Sequence, residues 1–280
     1  MTRLRVVLVA LASLTVLAVA YAFAGQPSNE RDWVPNEAVL PSFDFRGDSV
    51  VLRNVRNTTY RTADDYTPAY YDTTYDLKDL RRVWFGVVPF AGSTAMAHTF
   101  LSFEFTGSRF VAISVEARNE RGEEYGPIKG LFRRYELMYV IADERDAIGL
   151  RAVHHRDAVY LYPIRTQRPE HPRILFLGML AAAHELVLSP RFYNTLTANC
   201  TSTIVRHVNT LVPGRVPFSY RWLLPGYADG LAYDLGLIDT ELPEDSLRSR
   251  FDVTEAARLW ADSANFSEGI RRSSPKRSGA

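Results

Sequence analysis

The chain has 280 residues, with 33 basic and 32 acidic side chains and a formal net charge of +1, so no net basic field recommends a nucleic-acid partner. Aromatic residues make up 12% of it, with 15 Tyr and 15 Phe, which excludes a largely disordered chain. The one cysteine, Cys200, excludes an internal disulfide framework and any multi-cysteine metal site.

Arg3 and Arg5 precede an uncharged apolar run from Val6 to Gly25. As a helix this run is ~30 Å long, enough to cross the hydrocarbon core of a bilayer. It also contains Ala22-Phe23-Ala24, a pattern suited to signal cleavage, so residues 1–25 read either as a membrane anchor or as a signal peptide. Both readings leave the basic residues in the cytoplasm and place the rest of the chain in the periplasm or outside.

Residues 26–48 read as a polar, proline-containing linker. Ser49 to Val55 predicts a first strand, and the tyrosine-rich stretch from Tyr60 to Tyr75 an ordered loop. Strand patterns follow at Trp84–Phe90, His98–Phe105, Arg109–Ala117, Leu137–Ile141 and Val159–Pro163. Helical periodicity begins later, at Pro172–Leu188 and at Cys200–Leu211, where Ile204, Val208 and Leu211 share one face and Pro213-Gly214 ends the run. Leu223–Leu237 and Asp252–Trp260 are weaker helix patterns. Strands followed by helices give an α+β fold, with a main domain at 49–240, a helical extension at 241–262 and a disordered tail at 263–280.

The thiol is the chemical centre of this reading. Asn199 is a good helix-capping residue, and the free amides and dipole of a helix start favour a thiolate at Cys200. A cysteine nucleophile needs a base and a group to orient that base. His98 and Glu116 are found by register: a hairpin around Thr106-Gly107-Ser108 that keeps the aliphatic faces together pairs residues whose numbers sum to 214. Phe103 then faces Val111, Leu101 faces Ile113, and His98 lies opposite Glu116. A carboxylate there fixes the imidazole tautomer and favours the imidazolium. Ser114, on the same face, is an alternative orienter.

The other histidines form no metal-site spacing, so neither metal nor cofactor is expected. His154 and His155 read as part of a turn.

The order of strand histidine, strand acid and later helix cysteine resembles the circularly permuted papain-like group, which includes the NlpC-type peptidases and lecithin retinol acyltransferase. More closely, the chain resembles the Lnb N-terminal periplasmic domain family. The resemblance rests on Asn54-Val55-Arg56-Asn57 with Tyr60-Arg61, Tyr75-Asp76-Leu77, Ala97-His98-Thr99, Ser114-Val115-Glu116-Ala117-Arg118, Arg134-Tyr135-Glu136-Leu137, Ala142-Asp143-Glu144-Arg145-Asp146, and Tyr193-Asn194-Thr195-Leu196 with Asn199-Cys200-Thr201.

It implies a permuted papain-like domain whose antiparallel sheet packs on the cysteine-bearing helix. It further implies a thiol-dependent acyltransferase of the bacterial inner membrane or periplasm. The reaction would be lipoprotein N-acylation, moving an acyl chain from a phospholipid donor to a lipoprotein N-terminus through a Cys200 thioester. Cys200 and His98 take the family's nucleophile and histidine positions, and Glu116 sits in a matching motif. The Cys200 amide, with the Asn199 side chain, would support the oxyanion. Tyr135 and Arg145 would contact substrate. A cell-wall peptidase or amidase with the same dyad, and a non-catalytic envelope interaction domain, stand as alternatives.

Overall fold

The computed structural model describes residues 2–22 and 25–272. Helix α1 (Thr2–Ala22) comes first, then strands β1 (Ser42–Arg46), β2 (Ser49–Arg56), β3 (Thr59–Tyr60), β4 (Tyr66–Thr67), β5 (Tyr70–Asp76), β6 (Leu80–Pro89), β7 (Ala97–Phe105), β8 (Arg109–Arg118) and β9 (Glu136–Ala142). Helix α2 (Glu144–Gly149) leads into a π-helical turn at Leu150–His155 and strand β10 (Tyr160–Pro163). Helices α3 (His171–Leu188), α4 (Cys200–Leu211), α5 (Tyr220–Leu223), α6 (Ala228–Asp234), α7 (Leu247–Phe251), α8 (Thr254–Leu259) and α9 (Phe266–Arg272) complete it. The result is a mixed α+β fold.

The main sheet runs β1-β2-β9-β8-β7-β6-β10, with β5 also paired to β2. Its neighbours are antiparallel except β2 and β9, which are parallel where Arg56 meets Ala142. The predicted β7–β8 register is the observed one: Phe103 pairs with Val111 and Leu101 with Ile113. A slip by one residue would have sent Leu101 and Phe103 to the wrong face.

Each face of the sheet buries its own cluster. Leu101, Phe103 and Ile113 pack with Phe176 of α3 and Ile204 of α4, whereas Phe100 and Ala112 pack with Ile148, Ala257 and Phe266 on the opposite face. Helices therefore cover both sides of β7, and this decides from which direction each site residue arrives.

Several expectations are corrected. Residues 26–48 are not a free linker. Trp33 is buried under the Arg118 guanidinium, 4.1 Å from its ring centre, and Arg118 donates to the carbonyls of Glu37 (2.8 Å) and Ala38 (2.7 Å). The segment's polar groups satisfy the sheet's buried arginine, so it lies down as a strap.

The stretch from Tyr60 to Tyr75 is the β3–β4 hairpin and β5 rather than a loop. The tail expected to be disordered from Ser263 carries α9, because Phe266 and Ile270, four residues apart, bury on one face. Arg271 clamps that helix by pairing with Glu144 (2.7 Å) over the rings of Trp84 and Phe110. Residues 273–280 of that tail, and Phe23-Ala24 of the cleavage pattern, lie outside the described residues. Among the described residues, no helix is long and apolar enough to cross a membrane.

Candidate active site

Cys200 is the first residue of α4, and the chain stops being extended at Asn199 for a local reason. The Asn199 side-chain oxygen accepts from the Ser202 amide at 2.7 Å, and the Ser202 hydroxyl accepts from the Asn199 amide at 2.9 Å. This reciprocal cap satisfies two of the helix's orphan donors. The Asn199 amide nitrogen donates to the Thr195 carbonyl at 2.6 Å. Both ends of the side chain are thus engaged in building the turn, so Asn199 positions the thiol, and it lines the cavity beside it. Cys200 is 6% exposed, yet it lines a cavity of about 430 Å³.

His98 and Glu116 line the same cavity, with His98 Nε2 3.6 Å from Glu116 Oε1. Ser114 donates to Glu116 Oε1, so it orients the carboxylate and not the imidazole. Arg151, from the π-helical turn, reaches the same oxygen at 3.5 Å.

Burial and the Arg151 charge push the His98 imidazole well below its ordinary range, and Glu116 pulls weakly the other way. Burial alone would raise Glu116, but the Arg56 and Arg151 charges and the Ser114 hydrogen bond hold it below the usual carboxylate range. The expected imidazolium is therefore corrected. Two guanidinium groups share the field of Glu116, leaving the imidazole neutral and its basicity lowered.

The approach of the two principal groups is also specific. Thr99 faces α4, where its hydroxyl lies 2.9 Å from that of Thr201. His98, the residue before it, must point to the other face, and its ring stacks toward Phe100 with centroids 6.3 Å apart. Thiol and imidazole thus enter the cavity from opposite faces of β7, around the strand's N-terminal end. Among the described residues no hydrogen bond links them. The thiol's polar neighbour is Thr201 Oγ1 at 3.9 Å.

Two further expected residues lie elsewhere. Tyr135 is 1% exposed, and its hydroxyl donates to the Glu124 carbonyl at 2.8 Å and accepts from the Gly126 amide at 2.9 Å. It fastens the loop after β8 and does not line the cavity. Arg145 donates to the Ser263 carbonyl at 2.7 Å and ties α2 to the segment before α9. The cavity's cations are instead Arg151 and Arg56. The Arg56 guanidinium is held by Asp146 through Nε (3.0 Å) and Nη2 (2.8 Å).

Sequence reasoning assigned no site role to Tyr125, or to Tyr193 of the matched motif, whose hydroxyls are 3.2 Å apart on the cavity wall. Burial first, and then the neighbouring Cys200, drives the Tyr193 phenol upward, so it stays a hydrogen-bond donor beside the sulfur. Tyr193 stood in the chain seven residues before Cys200, one available signal. His155 and Glu37 also line the cavity. Among the described residues, no group of three or more His, Cys, Asp or Glu side chains is placed to hold a metal ion.

A family model described as Lnb N-terminal periplasmic domain matches residues 66–226, more than half of the chain. The matched span contains β5 through α5, including His98, Glu116 and Cys200. No curated protein matches the chain. No solved structure matches it either.

Proposed function

This chain belongs to the Lnb N-terminal periplasmic domain family, and on that premise we propose that it is a cysteine-nucleophile acyltransferase of the bacterial envelope with a permuted papain-like catalytic core. One observation carries the reading: a thiol at a capped helix start opens on the cavity that also holds an imidazole backed by a carboxylate. The donor is a phospholipid and the acceptor the N-terminal amine of a lipoprotein. The uncharged stretch after Arg5, acting as anchor or signal, delivers the domain to the periplasmic side of the inner membrane.

In the first half-reaction the Cys200 proton passes to His98 and sulfur attacks the ester carbonyl. The C–O bond breaks, the lysophospholipid oxygen takes the proton back from His98, and a thioester remains. In the second half the amine attacks the thioester carbon, the C–S bond breaks, and the amine proton returns to sulfur by way of His98. The oxyanion would be stabilised by the Cys200 amide at the helix start, with Tyr193, which lines the same cavity, as a second donor. Donor binding draws imidazole and thiol together around the end of β7, as catalytic hydrogen bonds commonly tighten in the complex.

The test is intact mass spectrometry of the full chain after incubation with phospholipid vesicles. A mass gain of one acyl chain on Cys200, released by hydroxylamine and absent in C200S, supports the reading, as does its transfer to a diacylglyceryl-cysteine peptide. An unmodified thiol together with cleavage of muropeptides would replace it with the hydrolase alternative. An unmodified thiol with neither activity would leave a non-catalytic domain.

A further inference from the structure

On the side of α4 away from His98 lies a second cavity, of about 80 Å³, between the β6–β7 face of the sheet and helices α4 and α6. Its walls are aliphatic and aromatic, among them Leu101, Ile204, Val208, Trp222 and Ala232, with one exception, Thr201. The Thr201 hydroxyl is engaged by Thr99 at 2.9 Å. The groove therefore offers a ligand no free hydrogen-bonding group, and an apolar cavity of this kind stays dry and accepts hydrocarbon.

Two relationships say what kind of hydrocarbon. The Thr201 hydroxyl at the groove's head is 3.9 Å from the Cys200 sulfur, so the groove begins beside the reacting atom. From there it follows Thr201, Ile204, Val205 and Val208, one face of α4, for about 10 Å along the axis. Its rim is half-buried at Val205, Val208 and Trp222. Phe218, 79% exposed, stands against Trp222 with ring centroids 5.4 Å apart. A straight apolar chain fits a slot that is narrow, apolar except for the engaged Thr201 hydroxyl, begins one residue from the sulfur and is rimmed by an exposed aromatic ring.

We propose that this groove is the acyl-chain subsite, holding the methylenes next to the thioester carbonyl while the cavity on the His98 side receives the polar group and the acceptor. The inference rests on the acyltransferase reading above. It also assigns a measuring role to α6: Ala232 faces the groove as a small side chain, and its bulk sets how much chain can lie down.

The experiment uses the full chain and two donors. With Ala232→Trp, or with Val208→Trp as a second filling of the slot, thioester formation from dipalmitoyl phosphatidylethanolamine should fall at least about tenfold. Acetylation of Cys200 by p-nitrophenyl acetate should stay within about twofold, because the short donor does not use the groove. Equal effects on both donors in a folded variant would overturn the assignment.

Binding is read separately. The wild type should take up cis-parinaric acid saturably and release it to palmitate, and the filled variants should not; equal uptake by a filled variant overturns the groove. Photocrosslinking of the wild type with a diazirine-bearing palmitate needs no variant: label on α4 or on residues 216–237 supports the site, and label confined elsewhere sinks it. A wild type that forms no thioester from either donor removes the acyltransferase reading, while the binding and crosslinking results still judge the groove by themselves.

Discussion

The hydroxyls of Thr99 and Thr201 lie 2.9 Å apart, and each belongs to the residue immediately after a member of the thiol–imidazole pair. That contact bolts the start of β7 to the first turn of α4. It fixes how far Cys200 stands from the end of the strand from which His98 departs. Thr99 is fully buried and Thr201 is 3% exposed, so neither hydroxyl has water as a substitute partner.

Thr99→Val leaves the buried Thr201 hydroxyl with only its weak contact to the Cys200 sulfur, and should cost about 1–3 kcal/mol of stability. The double variant T99V/T201V should cost less than the sum of the two singles, because it removes both partners of one bond. Urea unfolding of the four proteins measures the coupling, and additive costs would show that the bond does not hold helix to strand.

The neutral state of His98 has a pH consequence. Its value in the folded chain lies below the ordinary 6.5, so as pH falls below about 6.5 the unfolded chain takes up a proton that the folded chain refuses. The stability tied to this group is complete above that pH and declines on acidification, by about 1.4 kcal/mol per pH unit while the difference lasts. Glu116, also held below its ordinary value, acts in the same direction at lower pH. His98→Gln should therefore flatten the acid limb of a stability–pH curve. In Arg151→Gln the His98 resonances should titrate at higher pH than in the wild type, while still below 6.5 because burial persists. An unmoved titration would show that the guanidinium does not set the imidazole.

Glu116→Gln tests the carboxylate. It removes the one charge that favours protonation of His98, so proton transfer from the thiol should weaken and thioester formation should slow by about 10–100-fold. Rate measurement by quench and mass spectrometry decides it. A variant at wild-type rate would leave Glu116 as no more than a counter-ion for Arg56 and Arg151.

What was legible in the chain follows from the range of each signal. The His98–Glu116 pairing could be read because strand alternation has a period of two and Gly107, with φ +78°, marks the turn between β7 and β8. The α4 start was legible because Asn199 and Ser202 are three apart, within reach of one another's amides. Arg56 and Arg151 were not, since nothing local announces them. Arg56 reaches the cavity through the single parallel contact of β2 with β9, and Arg151 through a π-helical turn that reads as an ordinary turn in composition. The strap at 26–48 was misread for a similar reason: its polar groups answer Arg118 and Asn119, some eighty residues away.

The Arg56–Asp146 pair is the most demanding piece of the cavity wall. Asp146 is 1% exposed and accepts from both Arg56 nitrogens and from the Thr58 amide at 2.7 Å. Asp146→Ala strands a buried guanidinium and an amide together, and should cost about 3–5 kcal/mol. A loss under 1 kcal/mol in urea unfolding would mean that water replaces the carboxylate.

Glu37 shows the opposite sign. It stands on the strap with its carboxyl turned into the cavity, where burial, opposed by the Asn119 amide and assisted by the Glu116 charge, raises it to about 7. The unfolded chain ionises this group near 4.5, whereas the folded chain keeps it neutral to about 7. Folding is therefore fully supported below pH 4.5, is penalised progressively as pH rises between these values, and carries a constant penalty above them. Glutamine has the shape of the neutral acid and still accepts from the Asn119 amide, now at 2.6 Å from the carboxyl. Glu37→Gln should match the wild type near pH 4.5 and exceed it by about 1–3 kcal/mol at pH 8, where the ionised carboxyl no longer has to enter the cavity. Urea midpoints at the two pH values measure this, and a difference that does not grow with pH would show that Glu37 is ionised in the fold.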